Sequence, residues 1–377
     1  MTAGSLTTSA GTPSAITAVR DVFADNFARG EDVGASVAVM LDGRSVIDLW
    51  GGTIAPGPGA AVWQSNTIVN LMSVAKGIAA IVVHMLAAQG RLALDAPVAR
   101  YWPEFAAAGK DRILVRHPLD HRAGLEVLNE PLWPGAAYEW NVMVGALERQ
   151  APRHGPGSTP AYHTVTMSFL VGELVRRVTA KSYGRVLREL VCGPLGADYQ
   201  VGLPRPDHSR CARFIKWDGY NAGTAADGPS ALLVQAWAQF DPVSDDDFNS
   251  AQFRLAEIPG VNGHGNARAI AAIYGALAIG RLLPADSLAQ ATELQWEQTE
   301  PVLAHAYRMG LGFTLNSSDA YMGPNPRSFG HVGAGGSTGI CDLDMRLGFA
   351  YGMNLMRPNR DNGPRARRLL DALYSCL

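Results

Sequence analysis

A serine and a lysine lie one helical turn apart at the start of a predicted helix. Ser73 and Lys76 form an S-x-x-K pattern, and the helical run that they open ends at Gly90. Apolar residues at positions 78, 81, 82 and 85 of that run have the spacing of a buried helix face. Because a serine hydroxyl is a weak nucleophile until a base takes its proton, the adjacent amine gives the pair a chemical meaning. A capped helix with a solvated lysine is the alternative that these residues alone leave open.

Two later segments add groups that could complete a site. Residues 156–164 form a turn-rich loop that leads into a second predicted helix, which places Tyr162 at a loop-to-helix junction. A side chain at such a junction can project into a cleft. Residues 330–337 are dense in glycine and lie between apolar strands, as expected where the backbone approaches a ligand closely.

Together these segments resemble the penicillin-recognising serine hydrolases. This superfamily includes class C β-lactamases and D-Ala-D-Ala peptidases, and the resemblance is closest to the family VIII carboxylesterases. Ser73 and Lys76 match its first motif. Tyr162 matches the tyrosine of its Y-x-N motif, with Thr164 where those β-lactamases carry asparagine.

The third motif departs from the β-lactamase pattern. His331 and Gly333 take the place of the first and last residues of the K-T-G strand motif, so that histidine replaces lysine. The missing lysine and asparagine both help to hold a β-lactam and its carboxylate, which argues against efficient β-lactamase or peptidase activity. The similarity runs from about residue 34 to the C-terminus, and four further stretches resemble the esterase branch: residues 92–98, 102–105, 121–125 and 262–265.

The resemblance implies an α/β (α+β) fold of the β-lactamase type, with an antiparallel sheet flanked by helices and an inserted helical domain. The residue patterns agree with this expectation. Residues 35–41 and 44–50 alternate as a hairpin about an Asp-Gly turn, and residues 340–342 and 347–353 make a second strand pair before a terminal helix at 365–374. We therefore predict a sheet domain built from residues 1–92 and 290–377.

The middle of the chain, residues 93–289, is predicted to form a mainly helical domain. Its helical patterns cover residues 138–148, 166–179, 183–190 and 267–278. Long irregular stretches lie between them at 202–228 and 238–264, and loops of that length usually line a site.

Composition limits the function classes. The chain has 377 residues, 47% of them apolar, a net charge of −2 and no long basic run, which argues for a large buried core and against a nucleic-acid partner. Four cysteines lack metal-binding spacing, which favours a reduced intracellular setting. The N-terminus lacks a secretory pattern, and no apolar stretch reaches the roughly 20 residues that span a bilayer. We expect a cytoplasmic protein without a membrane partner, whose oligomeric state the sequence does not reveal.

Residues 335–339 offer a competing nucleophile, because they match the G-x-S-x-G elbow of α/β-hydrolases with Ser337 at the centre. That fold needs an acid and then a histidine after the serine, whereas His331 is the last histidine of the chain. The elbow also needs a following helix, whereas the residues from 340 onward have a strand pattern. We interpret the match as chance in a glycine-rich turn.

The remaining candidates are weaker. Of the other histidines, His163 adjoins Tyr162 but neighbouring helix positions point in different directions; the rest have structural interpretations: His84, His121 and His264. No metal-binding spacing is found, and the acidic turn at 245–247 lacks the other ligands of a calcium loop. Four aromatic residues could line an acyl or alcohol pocket, or could belong to the core: Trp217, Tyr220, Trp237 and Phe240.

The resemblance therefore implies a serine carboxylesterase that cleaves short-chain esters through an acyl-enzyme on Ser73. Lys76 and Tyr162 would form the base, with the lysine cation lowering the pKa of the phenol, and Tyr162 would protonate the leaving alkoxide. The N–H groups of Ser73 and of Ala334, which follows Gly333, would bind the oxyanion. His331 would contact the substrate or hold Tyr162, and no cofactor or metal is required. A transacylase, an amidase or β-lactamase, and a penicillin-sensor-like binding protein that acylates without turnover remain open.

Overall fold

The structure, a computed structural model, describes residues 13–216, 230–240, 247–358 and 361–377. The predictions made for Trp217, Tyr220, Asp245 and Asp246 fall outside these ranges.

An eight-stranded antiparallel sheet is the centre of the fold, and it takes strands from both ends of the chain. Its spatial order is β2-β1-β11-β10-β9-β8-β7-β6. A second sheet of three short strands has the order β3-β5-β4. The strands are β1 (Gly34–Leu41), β2 (Arg44–Gly52), β3 (Val69–Asn70), β4 (Tyr199–Gln200), β5 (His264–Gly265), β6 (Trp296–Glu300), β7 (His305–Met309), β8 (Thr314–Leu315), β9 (Ser328–Val332), β10 (Thr338–Asp342) and β11 (Leu347–Met353).

The α-helices lie mainly between β3 and β6. They are α1 (Pro13–Ala28), α2 (Val74–Ala88), α3 (Arg116–Leu119), α4 (Trp140–Arg149), α5 (Thr166–Thr179), α6 (Tyr183–Leu187), α7 (Gly193–Leu195), α8 (Ala231–Trp237), α9 (Ala251–Leu255), α10 (Ala267–Ala278), α11 (Ala285–Thr292) and α12 (Gly363–Tyr374). A turn of π-helix, Arg188–Cys192, joins α6 to α7.

Helices cover both faces of the large sheet because successive strand residues point to opposite sides. Val37 and Val39 of β1 belong to one hydrophobic cluster with apolar residues of α1 and α12. Ala38, between them, belongs to the larger cluster that contains α2 and α10. The sheet is therefore the middle layer of three. This arrangement confirms the predicted fold class, an antiparallel sheet flanked by helices, whereas the division into two domains stays a prediction.

The predicted hairpin at the start of the sheet is confirmed in its register. Leu41 pairs with Arg44 and Ala38 with Asp48, and the turn residues Asp42 and Gly43 both have positive φ, at 48° and 74°. The predicted helices at 166–179 and 267–278 coincide with α5 and α10. Strands β6 and β7, at the edge of the large sheet, were not predicted.

Helix α2 runs through the interior, so the residues at its start are held firmly. All but three of its fifteen residues are buried. It packs against β9 of the sheet on one side and α5 of the helical layer on the other. Within the described ranges, no helix is both long and apolar enough to cross a membrane.

Candidate active site

Ser73 is the N-cap residue of α2, and it follows a strained residue. Its own backbone is near-helical, with φ −67° and ψ −4°, whereas Met72 before it has φ 48°. A non-glycine residue with positive φ costs free energy that the surrounding packing must supply. Here the Asn70 side chain accepts a hydrogen bond from the Met72 N–H at 3.0 Å and holds that turn in place.

Lys76 lies against Ser73, as its spacing in the sequence predicts. Its Nζ is 3.2 Å from Ser73 Oγ and also donates to the main-chain oxygens of Thr164, at 2.8 Å, and Gly260, at 2.9 Å. The side chain is completely buried. Burial disfavours the ammonium and lowers the pKa of Lys76 from 10.5 to about 7. A substantial fraction of this amine is therefore neutral at physiological pH.

The Tyr162 ring reaches the same place from the loop that precedes α5. Lys76 Nζ lies 5.0 Å from the centre of the ring. The ring is packed between His121, with centroids 4.5 Å apart, and Tyr307, which is stacked on it at 6.0 Å with an interplanar angle of 13°. The structure thus brings together the three residues that the sequence predicts to act together.

The pKa of Tyr162 differs from the prediction. Burial raises the pKa of the phenol above its ordinary value, the interaction with the Ser73 hydroxyl opposes this, and the negative charge of Glu300 adds to the rise. The prediction that a cationic Lys76 lowers this pKa is therefore wrong for the free protein. The physical reason is that desolvation acts on both groups, so it favours the neutral amine and the neutral phenol together.

The glycine-rich segment after β9 lies close to the backbone that precedes Ser73. A Cβ on Gly333 would come within 2.2 Å of Ser337 Oγ and 2.4 Å of the Leu71 oxygen, so only glycine fits. In the part of the chain that the structure describes, neither the Ser73 N–H nor the Ala334 N–H donates to a protein acceptor. The sequence predicts that these two N–H groups bind an oxyanion, and that role stays a prediction.

His331 lies on β9 beside Lys76 and Tyr162. Its Nδ1 is 2.8 Å from the Val332 oxygen, so Nδ1 carries the hydrogen, and Nε2 is an acceptor that has no partner among the described residues. Burial and the nearby Lys76 lower the pKa of His331 to about 3. The imidazole is thus neutral, unlike the lysine that it replaces in the β-lactamase motif, and its ring centre lies 6.3 Å from that of Tyr162.

The other histidines near the site are held by the backbone. His163 Nδ1 is 2.7 Å from the Ala161 oxygen, and its Nε2 accepts from the Leu125 N–H at 3.2 Å, which leaves neither nitrogen free as a base. His121 accepts the His163 N–H at Nδ1, and burial lowers its pKa well below 6.5. Both residues therefore shape the site around Tyr162 through packing and main-chain contacts.

Ser337 has the environment of a structural residue. It is buried, its hydroxyl donates to the Leu71 oxygen at 2.8 Å, and β10 begins at the next residue. A strand in that position is incompatible with the helix that a nucleophile elbow requires. The geometry favours the interpretation of this G-x-S-x-G match as chance.

The other candidates have contacts of their own, and Trp237 among them packs against the small hydrophobic cluster that contains Tyr162. His84 Nε2 is 2.9 Å from the Leu311 oxygen within the core, and His264 is buried on β5. Trp237 and Phe240 pack against each other with ring centres 5.0 Å apart, and Asp247 is buried and accepts a hydrogen bond from Tyr138. Among the described residues, no group of three or more histidine, cysteine, aspartate or glutamate side chains is placed to hold a metal ion.

Three groups that the structure adds to the site could not be predicted from the sequence. Two are main-chain oxygens, those of Thr164 and Gly260, which lie 88 and 184 residues from the lysine that they contact. The third is the Glu300 carboxylate, which accepts a hydrogen bond from the Tyr162 N–H at 2.8 Å. A main-chain contact leaves no trace in residue type, and an isolated glutamate in a strand has no motif.

Comparison with known proteins identifies the family of this chain. The family model described as β-lactamase matches residues 19–374. The chain belongs to the β-lactamase family. The family resemblance that the sequence motifs indicate is therefore confirmed.

Similar proteins include both esterases and a penicillin-binding-protein homologue. The chain is 32% identical over 352 residues to the esterase/β-lactamase LipL of Mycobacterium tuberculosis, which covers 87% of this chain and 78% of that protein. A crystal structure of a family VIII carboxylesterase matches with 38% identity and a TM-score of 0.90, covering all of both chains. A penicillin-binding-protein homologue from Caulobacter crescentus matches with 35% identity and a TM-score of 0.89, covering 98% of this chain and 99% of that one.

Proposed function

We propose that this protein is a serine carboxylesterase, which hydrolyses short-chain esters through an acyl-enzyme on Ser73. The observation that carries the proposal is the buried amine of Lys76, 3.2 Å from Ser73 Oγ, with its pKa lowered to about 7. The esterase names of LipL and of the family VIII structure support the same reaction class.

In the neutral amine, Lys76 has two N–H bonds and one lone pair. The oxygens of Thr164 and Gly260 accept the two N–H groups, so the lone pair is left for the third contact, Ser73 Oγ. Ser73 then passes its proton to Nζ while Oγ attacks the ester carbonyl carbon. The oxyanion that forms is stabilised by the N–H groups of Ser73 and Ala334.

Tyr162 supplies the proton that the leaving alcohol needs. When the carbon–oxygen bond to the alkoxide breaks, the phenol gives its proton to that oxygen and takes one back from the Lys76 ammonium. The raised pKa of Tyr162 suits this role because it keeps the phenol protonated before the bond breaks. In the second half of the reaction, water takes the place of the alcohol and the same proton transfers run in reverse.

His331 makes the site better suited to a neutral ester than to a β-lactam. Its buried imidazole, with a pKa of about 3, offers no positive charge to a substrate carboxylate. Each charged hydrogen bond lost is worth about 1.5–3 kcal/mol. The neutral histidine therefore lowers the affinity for a carboxylate-bearing β-lactam and leaves a simple ester unaffected.

The test compares Ser73→Ala with Ser337→Ala on nitrophenyl butyrate and on nitrocefin. We expect Ser73→Ala to lower kcat by roughly 10³ or more, and Ser337→Ala to keep the covalent chemistry. A fluorophosphonate should label Ser73 in the wild type, as read by mass spectrometry. A label on Ser337, or a nitrocefin kcat/KM equal to that for the ester, would contradict the proposal.

The same preparation separates the alternatives. Stable acylation of Ser73 without product release indicates the sensor, and product that forms only with an added alcohol or amine indicates the transacylase. The cytoplasmic location stays part of the proposal, and cell fractionation tests it.

A further inference from the structure

Glu300, the last residue of β6, is a buried carboxylate to which no motif assigns a role. Its side chain is completely buried. Oε2 accepts hydrogen bonds from the N–H groups of Tyr162, at 2.8 Å, and Val302, at 2.9 Å, and Oε1 accepts from the N–H of Leu303 at 2.5 Å.

These contacts indicate that Glu300 is ionised. All three partners are N–H donors, so a proton on either carboxylate oxygen would face donors and find no acceptor among them. Burial raises the pKa of Glu300, and the three main-chain hydrogen bonds and His305 oppose that rise. In the described part of the chain, Glu300 forms no ion pair with lysine or arginine. A buried carboxylate held by N–H groups alone costs free energy to desolvate, so its position beside Tyr162 needs an explanation.

The Tyr162 backbone depends on this carboxylate because it lies outside regular structure. Helix α4 ends at Arg149 and α5 begins at Thr166, so neither a helix nor a strand fixes the residues between them. The Tyr162 N–H has Glu300 as its acceptor, and the preceding Ala161 N–H bonds to the His121 oxygen at 3.0 Å.

The carboxylate also ties Tyr162 to α8. Val302, which donates to Glu300, accepts a hydrogen bond at its main-chain oxygen from Ser230, the N-cap residue of α8, at 2.5 Å. Leu233 of α8, Val302, Ala161 and Tyr162 form one small hydrophobic cluster separate from the main core. The Glu300 carboxylate therefore links the Tyr162 backbone to the segment at Val302 and, through Val302, to the start of α8.

The charges around Tyr162 add to this argument. Lys76 on α2 and the rings of His121 and His331 lie near the phenol, and both imidazoles are neutral because burial lowers their pKa values. Tyr307 on β7 stacks on the ring, and burial raises its pKa as well. Glu300 is the negative charge that acts on the phenol, so it opposes loss of the phenolic proton.

We propose that Glu300 is a positioning residue that holds Tyr162, through its main-chain N–H, where the phenol can protonate the leaving alkoxide. The proposal rests on the proposed function, since it assigns Tyr162 the role of general acid. In that step the phenol O–H bond breaks, the proton joins the alkoxide oxygen as the carbon–oxygen bond of the ester breaks, and the Lys76 ammonium returns a proton to the phenolate.

Two substitutions separate the position of the carboxylate from its presence. Glu300→Asp keeps the charge but withdraws the carboxylate by one methylene from the Tyr162 N–H. Glu300→Gln keeps an oxygen at the position of Oε2, which faces the Tyr162 and Val302 N–H groups, and it gives up the contact to Leu303. Glu297→Gln is the matched control, because Glu297 lies on the same strand and is exposed and paired with Arg308.

The readout is kcat/KM for two esters of the same acid. Ethyl butyrate releases a strongly basic alkoxide that needs a proton from Tyr162, whereas nitrophenyl butyrate releases a stable anion that does not. We expect Glu300→Asp to lower kcat/KM for ethyl butyrate by about 10- to 100-fold, the range for a misplaced catalytic group. The loss for nitrophenyl butyrate should be only a few-fold. Glu300→Gln, which keeps the acceptor for the Tyr162 N–H, should lower kcat/KM for ethyl butyrate less than Glu300→Asp does, and Glu297→Gln should stay close to the wild type on both esters.

A role in stability alone would lower both esters in parallel, through the fraction of folded protein, and that result would overturn the proposal. If Glu300→Asp does not fold, hydrogen exchange of the wild type provides the test. The Tyr162 amide should then exchange more slowly than that of exposed Thr159 in the same loop, and equal rates would overturn the proposal.

The proposed function fails separately, if Ser73→Ala retains activity. Only the role of Glu300 is rejected if Ser73→Ala is inactive while Glu300→Asp leaves unchanged the ratio of kcat/KM for ethyl butyrate to kcat/KM for nitrophenyl butyrate.

Discussion

Lys76 determines how the proposed reaction should depend on pH. Its amine is a base only when neutral, and burial places its pKa at about 7 rather than 10.5. The three histidines near it are neutral throughout the physiological range, so they add no titration there. The change in activity near neutral pH therefore belongs to the lysine.

We expect kcat/KM for nitrophenyl butyrate to rise with pH through about 7 and then to level off, because the neutral amine is the form above its pKa. Lys76→Arg should remove the activity and with it the rise through pH 7, since a guanidinium stays protonated at every accessible pH. Lys181→Met, at an exposed residue paired with Glu189, should leave the profile unchanged. If Lys76→Arg retains activity that still rises with pH through about 7, the titration belongs to another group.

At the scale of elements, the end of β9 positions the predicted oxyanion-binding group. Gly333 N–H bonds to the Ser337 oxygen at 2.7 Å, which closes a tight turn around Ala334. The same Gly333 lies against the Leu71 oxygen and so brings this turn beside the residues that lead to Ser73. The contact leaves no room for a side chain.

Gly333→Ala should therefore separate the two N–H groups predicted to bind the oxyanion. The loss of one oxyanion-binding donor costs about 10²–10³ in kcat, and we expect a decrease in that range with a small change in KM. Gly280→Ala is the control, because no atom lies within 4 Å of the added Cβ and only the positive φ of 72° opposes it. Circular dichroism should show folded protein for both. Wild-type kcat for Gly333→Ala would exclude this turn from catalysis.

The elements also show which features a sequence can predict. Helices α5 and α10 were predicted with the observed bounds because one face of each is apolar at helical spacing. Strand β6 was missed because its central residues, from Glu297 to Thr299, are exposed and polar at the sheet edge, where no alternation appears. The pair Ser73 and Lys76 was predictable since their contact is local in the chain. The contacts of Lys76 with Thr164 and Gly260 were not, since they join its side-chain amine to main-chain oxygens of distant segments.

At the scale of the whole molecule, a buried ion pair connects the two chain ends to the glycine-rich turn. Arg365 of α12 contacts Asp32, which follows α1, at 2.7 Å, and both side chains are almost fully buried. The Asp32 carboxylate also accepts from the Tyr351 hydroxyl at 2.6 Å. The other guanidinium nitrogen of Arg365 donates to the Gly335 oxygen at 2.5 Å, next to Ala334. Arg365 thus connects the helices at the two chain ends with the turn that carries Ala334 of the candidate site.

Arg365→Met should destabilise the protein by about 3–5 kcal/mol, because it leaves the buried Asp32 without its cation. Burial raises the pKa of Asp32 from 3.8 even with Arg365 in place, and loss of the cation raises it further. Since such a carboxyl holds its proton more tightly when folded, the destabilisation should be smaller near pH 5 than at pH 8, where Asp32 must ionise in the folded state. Arg367→Met on the same helix removes an exposed pair with Asp371 and an exposed hydrogen bond to the Asp319 oxygen, and it should cost about 1 kcal/mol or less at both pH values. Urea unfolding of both variants at the two pH values measures the difference. A destabilisation by Arg365→Met that does not change with pH would mean that Asp32 keeps the same protonation state across this range, and that the loss comes from the contacts of Arg365 with main-chain oxygens.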